Sequence, residues 1–291
     1  MNHPHPRRPT WLAKRAGLTP ATGAVRRIVR EGGLNTVCQS ARCPNLGECF
    51  AHGTATFMIL GATCARACGF CAVATARPEP VDADEPERVA HAAAAMGLTH
   101  VVVTSVTRDD LADGGAPHFA ATIATLRTRT PLATVEVLTP DFGGDVGAID
   151  TVIDAAPDVY NHNVETVSRL YPAVRPQAVY ARSLALIRRV ADRAPTITTK
   201  SGIMVGLGET ADEVRATMTD LKRAGCDVVT IGQYLQPTRK NLPVAEYVAP
   251  EVFDEYRRIG EEEIGLATVF AAPYVRSSYH AGELLKKTSK L

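Results

Sequence analysis

ATFMILGATCARACGFC (55–71) begins as an apolar run and ends in three thiols, Cys64-x3-Cys68-x2-Cys71. The run 55–61 reads as a buried strand, because it is short, apolar and closed by a glycine. A second triplet lies upstream in CQSARCPNLGEC (38–49), as Cys38-x4-Cys43-x5-Cys49. Six of the seven cysteines fall in these two groups, a clustering that core packing alone does not explain. Thiolates are soft ligands suited to zinc, copper(I) or iron–sulfur clusters. Three per group is one short of the usual four for a four-iron cluster, so one iron would stay open to another ligand or a substrate.

Two other readings of the thiols compete. Disulfides would need an oxidising compartment. The start MNHPHPRRPTWLAKRAG carries no apolar segment of signal-peptide type, so a reduced, cytoplasmic protein is expected. A chain of 291 residues also buries a good core without staples. Structural zinc favours paired C-x2-C knuckles or a histidine partner. Here only Cys68-x2-Cys71 has that spacing, and His52 is the one histidine nearby. The seventh cysteine, Cys226 in AGCDVVTIG, reads as an inert small hydrophobe.

Downstream of the second triplet the pattern alternates. Helices are expected over 85–97, 117–129, 147–156, 177–192 and 210–225. Between them, THVVVTS (99–105), ATVEVL (133–138), DVYN (158–161), TITTKSGIMV (196–205) and DVVTIG (227–232) read as strands. With 55–61 that makes six strands, helices between them and no hairpin signal. Such alternation predicts an α/β fold with a parallel sheet, and both an open doubly wound sheet and a barrel fit. Chemistry in either form gathers at the carboxyl ends of the strands. Polar segments occur there: TSVTRDD, TPDF, NHNVE, GLGE and QYLQP follow strands two to six, and the second cysteine triplet follows strand one.

Gly206-Leu207-Gly208-Glu209-Thr210-Ala211 also matches a dinucleotide fingerprint, G-x-G-x-x-A. It stands in the fifth unit rather than the first. Asp227, near the required spacing, precedes its strand instead of ending it, so a nicotinamide cofactor is not expected. Formal net charge is +1, and the basic stretches are limited to RRPTWLAKR and the tail LLKKTSKL, so nucleic acid is not the expected partner. No apolar stretch approaches the length of a membrane span.

Cys64-Ala-Arg-Ala-Cys68-Gly-Phe-Cys71, after a first strand and ahead of a six-unit β/α array, resembles the radical S-adenosylmethionine (SAM) superfamily. The first triplet narrows the resemblance to the lipoyl synthase family. So do GTATFMILG (53–61), SVTRDDLADGGA (105–116), EVLTPDF (136–142), NHNVETV (161–167), TKSGIMVGLGET (199–210), TIGQYLQPT (230–238) and RSSYHA (276–281). The resemblance implies a partial (β/α)6 barrel over 54–245. Ahead of it would come an N-terminal extension (1–53) carrying the first triplet, and after it a C-terminal helix and tail (246–291).

The resemblance also implies chemistry. Cys64, Cys68 and Cys71 would hold a four-iron cluster that chelates SAM, and Cys38, Cys43 and Cys49 an auxiliary one completed by Ser278 rather than Ser277. Phe70, Thr104, Ser105, Asn163, Glu165, Arg182, Met204 and Glu209 would cradle SAM. The reaction would be insertion of sulfur from the auxiliary cluster at C6 and C8 of an octanoyl chain on a carrier lysine. Implied partners are octanoylated lipoyl carrier domains of 2-oxoacid dehydrogenase acyltransferase subunits and of the glycine cleavage H protein. An electron donor such as ferredoxin or flavodoxin is implied too. Two departures stand out: Asn241 replaces a histidine common in relatives, and the motif reads C-A-R instead of C-T-R.

Two rival functions remain at this stage. A sulfur-inserting enzyme of the biotin synthase kind would lack the first triplet. A metal or redox sensor would need no SAM cradle.

Overall fold

A computed structural model of the protein describes residues 7–13, 20–51, 54–279 and 281–282. His52, His280 and the basic tail 284–291 lie outside the described residues. The chain enters through α1 (Pro20–Glu31), β1 (Asn35–Thr36), α2 (Val37–Ser40) and α3 (Leu46–Ala51). Strand β2 (Thr56–Ile59) follows, antiparallel to β1. A two-residue parallel ladder, β3 (Thr63–Cys64) with β4 (Ala74–Thr75), then closes the base of the cysteine loop.

From there strands and helices alternate. The strands are β5 (His100–Ser105), β6 (Thr134–Leu138), β7 (Val159–Asn161), β8 (Thr198–Val205) and β9 (Val228–Gln233). The helices are α4 (Glu85–Ala95), α5 (Ala116–Arg129), α6 (Val146–Asp154), the short α7 (Tyr171–Val174), α8 (Tyr180–Arg193) and α9 (Ala211–Arg223). All six expected strands pair side by side and parallel in chain order. After α10 (Pro250–Arg258), β10 (Thr268–Ala271) adds a seventh parallel strand beside β9. The sheet therefore takes β1 from the N-terminal extension and β10 from the C-terminal stretch. It remains open, with β1 and β10 at its two edges. That is the partial barrel.

Alternation along each strand explains the shape. Val101, Val103, Val135 and Val137 join Phe119, Ile123 and Leu126 of α5 in one core on the helix side. Ile203, Val205, Val229 and Ile231 do the same with Val214, Met218 and Leu221 of α9. Full burial of each such side chain contributes about 1.5–3 kcal/mol. Helix α9 starts where expected, on a capping box in which the Thr210 hydroxyl accepts from Glu213 N–H and the Glu213 carboxylate accepts from Thr210 N–H.

The opposite positions face inward. Low in the barrel they form a buried polar floor: the Lys200 ammonium donates to both oxygens of Glu136, at 2.9 and 3.2 Å. Asn161 Nδ2 donates to the same carboxylate at 3.1 Å, and His100 Nε2 stands 3.3 Å from it. Burial alone would raise the Glu136 pKa, but Lys200 and His100 hold it at about 2. One pleat higher the strands turn to glycine. A Cβ on Gly232 would stand 2.0 Å from the Val275 carbonyl oxygen, and one on Gly202 only 2.8 Å from Asn163 Oδ1 and 3.0 Å from Ser277 Oγ. These two glycines make the slot through which the C-terminal tail enters the barrel.

Candidate active site

Above the floor, at the carboxyl ends of the strands, lies a cavity of about 500 Å³. All six clustered cysteines line it. The second triad stands on a loop fixed from several sides. Thr107 N–H and Arg66 N–H point at Cys64 Sγ, at 3.3 and 3.4 Å, and Val73 N–H at Cys71 Sγ, at 3.5 Å. Arg66, inside the motif, is almost wholly buried and grips two carboxylates: Asp109 at 2.6 and 2.8 Å, and Asp141 at 2.7 Å. Burial works to raise the Asp141 pKa, but Arg66 holds it at about 2, so the pair stays ionised.

Asn241, the departure noted in the sequence, clamps this loop from the segment after β9. Its Nδ2 donates to the carbonyls of Cys71, at 2.7 Å, and Gly69, at 3.3 Å. Its Oδ1 accepts from Thr238 Oγ1 at 2.7 Å, which fixes the amide's orientation. Leu242 N–H adds a bond to Gly69 O at 2.9 Å, and the Leu242 side chain fills the space that a Cβ on Gly69 would need.

The first triad is arranged on α2, α3 and the turn between them. Asn45 Nδ2 donates to Tyr274 O, and Tyr279 O–H to Glu48 Oε1, both at 2.7 Å. The tail thereby brings Arg276, Ser277 and Ser278 to the same cavity. Ser277 Oγ accepts from Asn163 Nδ2 at 2.7 Å. The Arg276 guanidinium donates to the carbonyls of Val275 and Pro273, at 2.6 and 3.4 Å.

Of the sequence-derived cradle, Phe70, Thr104, Ser105, Asn163, Glu165 and Met204 line the cavity. Arg182 and Glu209 do not. Arg182 reaches Asp141 Oδ2 at 3.1 Å from the outer side. Glu209 caps its own turn, accepting from Gly206 and Leu207 N–H. That capping also consumes the N–H groups a dinucleotide phosphate would need at the G-x-G-x-x-A stretch, and Asp227 is bonded to Thr199 instead.

Sequence reasoning missed Arg175. It lies buried against the cavity, donating from one NH group to Asn163 O at 2.7 Å. Its guanidinium carbon lies 5.2 Å from the Tyr171 ring centre. Nothing in the run AVRPQ distinguishes it from a solvated arginine. His162, in the NHNVE segment, is also buried. Desolvation, helped by the Arg175 charge, lowers its pKa to about 4, so it is neutral. Thr139 O can only accept, which places the proton on Nδ1 and leaves Nε2 to accept from Ser183 O–H.

The residues fit a polar cofactor beside a cluster. Ser105 Oγ, Asn163 Oδ1 and Arg175 Nε are buried without a partner, a cost that a bound ligand would remove. Burial raises the Glu165 pKa, opposed by Arg175, and its backbone is left-handed at φ 65°. All seven cysteines are free thiols, and Cys226 is buried with its sulfur 3.3 Å from Val228 O. Burial pushes Cys38 up to about 11 and Cys68 up to about 12, and raises Cys71. Loading with iron must therefore expel protons. Among the described residues no three His, Cys, Asp or Glu side chains converge on a point suited to one metal ion. A four-iron cluster asks for a wider spacing, because its cysteines bind different irons.

A partial barrel whose first strand opens into a C-x3-C-x-aromatic-C loop over a polar cradle defines a radical SAM enzyme. The Radical SAM superfamily model matches residues 58–221. Among solved structures, Streptococcus suis SuiB bound to S-adenosylmethionine aligns over 80% of this chain and 54% of its own, with TM-score 0.58 and 12% identity. Methylornithine synthase aligns over 73% and 69%, with TM-score 0.55 and 12% identity. These likenesses concern the fold. The chain belongs to the lipoyl synthase family. The lipoyl synthase of Caldanaerobacter subterraneus subsp. tengcongensis is 58% identical over 94% of this chain and 96% of its own length. That of Rubrobacter xylanophilus is 55% identical over 95% and 86%.

Proposed function

We propose that the protein makes lipoyl groups, replacing two hydrogens of a carrier-bound octanoyl chain with sulfur at C6 and C8. The observation that carries this reading is the single cavity shared by both cysteine triads and the buried, unpartnered Ser105, Asn163 and Arg175 atoms. Cys64, Cys68 and Cys71 would hold the SAM-binding cluster, and Cys38, Cys43 and Cys49 the auxiliary one. When bound, these groups supply a carbon radical from SAM and the sulfur for insertion.

The chain's own residues do the rest. Ser105 and Asn163 offer hydrogen bonds to the polar end of SAM, and the buried Arg175 guanidinium offers a cation to its carboxylate. Phe70 and Met204 give apolar surface to the adenine side. Thr104 spends its proton on Leu138 O at 2.9 Å, which leaves its oxygen free to accept. Ser278 suits the fourth position on the first triad, because Ser277 is already engaged by Asn163. The partly apolar lining of the cavity limits the access of water to a reactive radical.

The substrate is a lipoyl carrier lysine. Acyltransferase subunits of 2-oxoacid dehydrogenases and the glycine cleavage H protein are the carriers proposed, with ferredoxin or flavodoxin as reductant. Among the described residues no helix is long and apolar enough to cross a membrane. Cytoplasmic residence is proposed from the reduced thiols and the cluster chemistry.

Anaerobic reconstitution should load about eight irons per chain. Incubation with SAM, a reductant and an octanoylated carrier should give a mass change of two sulfurs gained and two hydrogens lost. Ser278→Ala should keep 5′-deoxyadenosine release but lower lipoyl formation well below that of Ser277→Ala. Release of 5′-deoxyadenosine with no sulfur on any octanoyl substrate would overturn the reading.

A further inference from the structure

Asn163 links the residues proposed to cradle SAM to the C-terminal tail. It follows shortly after β7, and Arg175 fixes its backbone by donating to its carbonyl oxygen at 2.7 Å. The side-chain amide faces two ways. Nδ2 donates to Glu165 Oε1 at 3.1 Å and to Ser277 Oγ at 2.7 Å, so both amide protons are engaged. Oδ1 is buried without a partner, in a residue that lines the cavity. Gly202 lets these groups meet: a Cβ there would stand 2.8 Å from Asn163 Oδ1 and 3.0 Å from Ser277 Oγ. Ser277 directly precedes Ser278, which also lines the cavity. Two other side-chain bonds of the tail, Asn45 to Tyr274 and Tyr279 to Glu48, run to the N-terminal extension and not to the cradle. One amide thus has its donor end on the tail and its unused acceptor end among the cradle residues.

We propose that Asn163 couples the two sites: once Oδ1 accepts a hydrogen bond from SAM, the amide holds Ser277 more tightly and keeps the tail closed over the first triad. The proposal rests on the reading of Asn163 as a cradle residue and adds Ser277 as a positioning residue that acts through it. The physical basis is the amide itself. Electron density drawn toward Oδ1 makes the Nδ2 protons better donors, and hydrogen bonds in a chain polarise one another, more so in a pocket of low dielectric. An unpartnered buried acceptor is also costly, so Oδ1 favours a ligand that brings an ammonium or hydroxyl proton, and SAM has both. Coupling between two sites is reciprocal, so a closed tail must favour SAM by the same factor. The consequence is an order: the site proposed to give sulfur is held most firmly when SAM is in place.

The rival account is that SAM shields the tail merely by lying against it. Hydrogen exchange of the segment 273–279, followed by mass spectrometry, separates the two. The protein is reconstituted anaerobically, checked for iron and measured with and without SAM, with no reductant present, so SAM is bound but not cleaved. In the wild type SAM should slow exchange of this segment about fivefold, the low end of couplings between sites. Ser277→Ala removes the tail's acceptor and leaves Asn163 in place. In that variant SAM should no longer slow exchange, and SAM affinity, read by equilibrium dialysis, should fall by the factor lost. Tyr279→Phe is the control for general loosening, since it frees the tail without touching Asn163. It should speed exchange with and without SAM alike, leaving the ratio between them unchanged. Protection by SAM that survives in Ser277→Ala, or a wild-type tail indifferent to bound SAM, overturns the coupling. A ratio that collapses equally in Tyr279→Phe overturns it too, because the effect would then belong to any loosened tail. Failure of SAM to bind the reconstituted wild type would instead overturn the cradle reading beneath it.

Discussion

Cys64, Cys68 and Cys71 stand on eight consecutive residues, and the backbone of that loop and of the next strand end supplies N–H groups to the sulfurs of Cys64 and Cys71. Cys38, Cys43 and Cys49 stand on two short helices and a turn, tied to a tail more than two hundred residues away in sequence. The contrast is between three cysteines on one short loop, which Asn241 clamps from outside, and three spread over two helices and a turn, joined to the tail by closing a very long loop. Local geometry forms with the barrel. Loop closure costs entropy that grows slowly with length and must be recovered by contacts at the join. A triad held this way can loosen without the barrel opening, which would suit the sulfur-giving cluster proposed for it.

The largest test separates the triads outright. Replacing Cys64, Cys68 and Cys71 with Ala should halve the iron and abolish SAM cleavage. Replacing Cys38, Cys43 and Cys49 should also halve the iron, yet leave SAM cleavage and remove sulfur insertion. Iron analysis and 5′-deoxyadenosine assays read both. Equal loss of SAM cleavage in the two variants would show that the triads do not work independently.

Damage to the shared floor should hit both triads alike. Lys200→Met leaves Glu136 ionised and buried without its ammonium partner. Loss of one partner of a buried pair costs about 3–5 kcal/mol, visible as a lower Tm. The sign with pH follows from the depressed Glu136 pKa of about 2. Its contribution is present above the ordinary carboxylate range near pH 4.5 and is lost as pH falls toward about 2. A protonated Glu136 no longer needs the cation, so the Tm gap between wild type and variant should close on acidification. A gap that stays constant from pH 7 to pH 3 would place the effect elsewhere.

The contrast between the triads also sets what the sequence could disclose. Six strands, their parallel pairing and the rim of polar loops were legible because each rests on local periodicity and on glycine or capping signals, whereas the strand order followed only from the family resemblance. Thr210 and Glu213 did form the expected capping box. Strand β10 was not foreseen, since four residues after a long helical stretch carry too little pattern. Among cradle residues, Thr104, Ser105 and Met204 lie on strands and Asn163 and Glu165 close after one, so the strand fixes their direction, while Phe70 is carried to the cavity by the cysteine loop. Arg182 and Glu209 did not reach it, because each found a nearer partner: Asp141 for one, the turn's own N–H groups for the other. Arg175 was illegible for the converse reason. Its burial depends on how the segment after α7 folds back over Asn163, which no local pattern encodes.

A smaller effect should be confined to the second triad. Asn241→Ala removes the amide that holds the Cys71 and Gly69 carbonyls; Gly69 O keeps the Leu242 N–H, and leaving the partly buried Cys71 carbonyl without its donor costs about 1 kcal/mol. Iron on that triad should be lost faster to a chelator, and the cluster's midpoint potential should shift as the loop relaxes. Asn241→His restores a single donor and should recover part of both. Asn241→Asp keeps the shape, lacks the donors and should not. Iron on the first triad should leave at the wild-type rate in all three.

The smallest effect should fall on the first triad alone. Tyr279→Phe deletes one hydroxyl, the donor to Glu48 on α3 at 2.7 Å. A hydrogen bond to a charged group contributes about 1.5–3 kcal/mol when well formed, and partial exposure here places the loss near the lower end. Little change in Tm is expected, because the barrel does not depend on this bond and Asn45 still holds Tyr274. What should change is how often the tail lifts from the extension. Iron on Cys38, Cys43 and Cys49 should then become more open to chelators, by roughly tenfold for each 1.4 kcal/mol lost. The second triad should be indifferent, since its hydrogen bonds come from its own loop and from Thr107 and Asn241. If Tyr279→Phe loosens iron on both triads equally, the tail supports the whole cavity, and the division into a local and a long-range site fails.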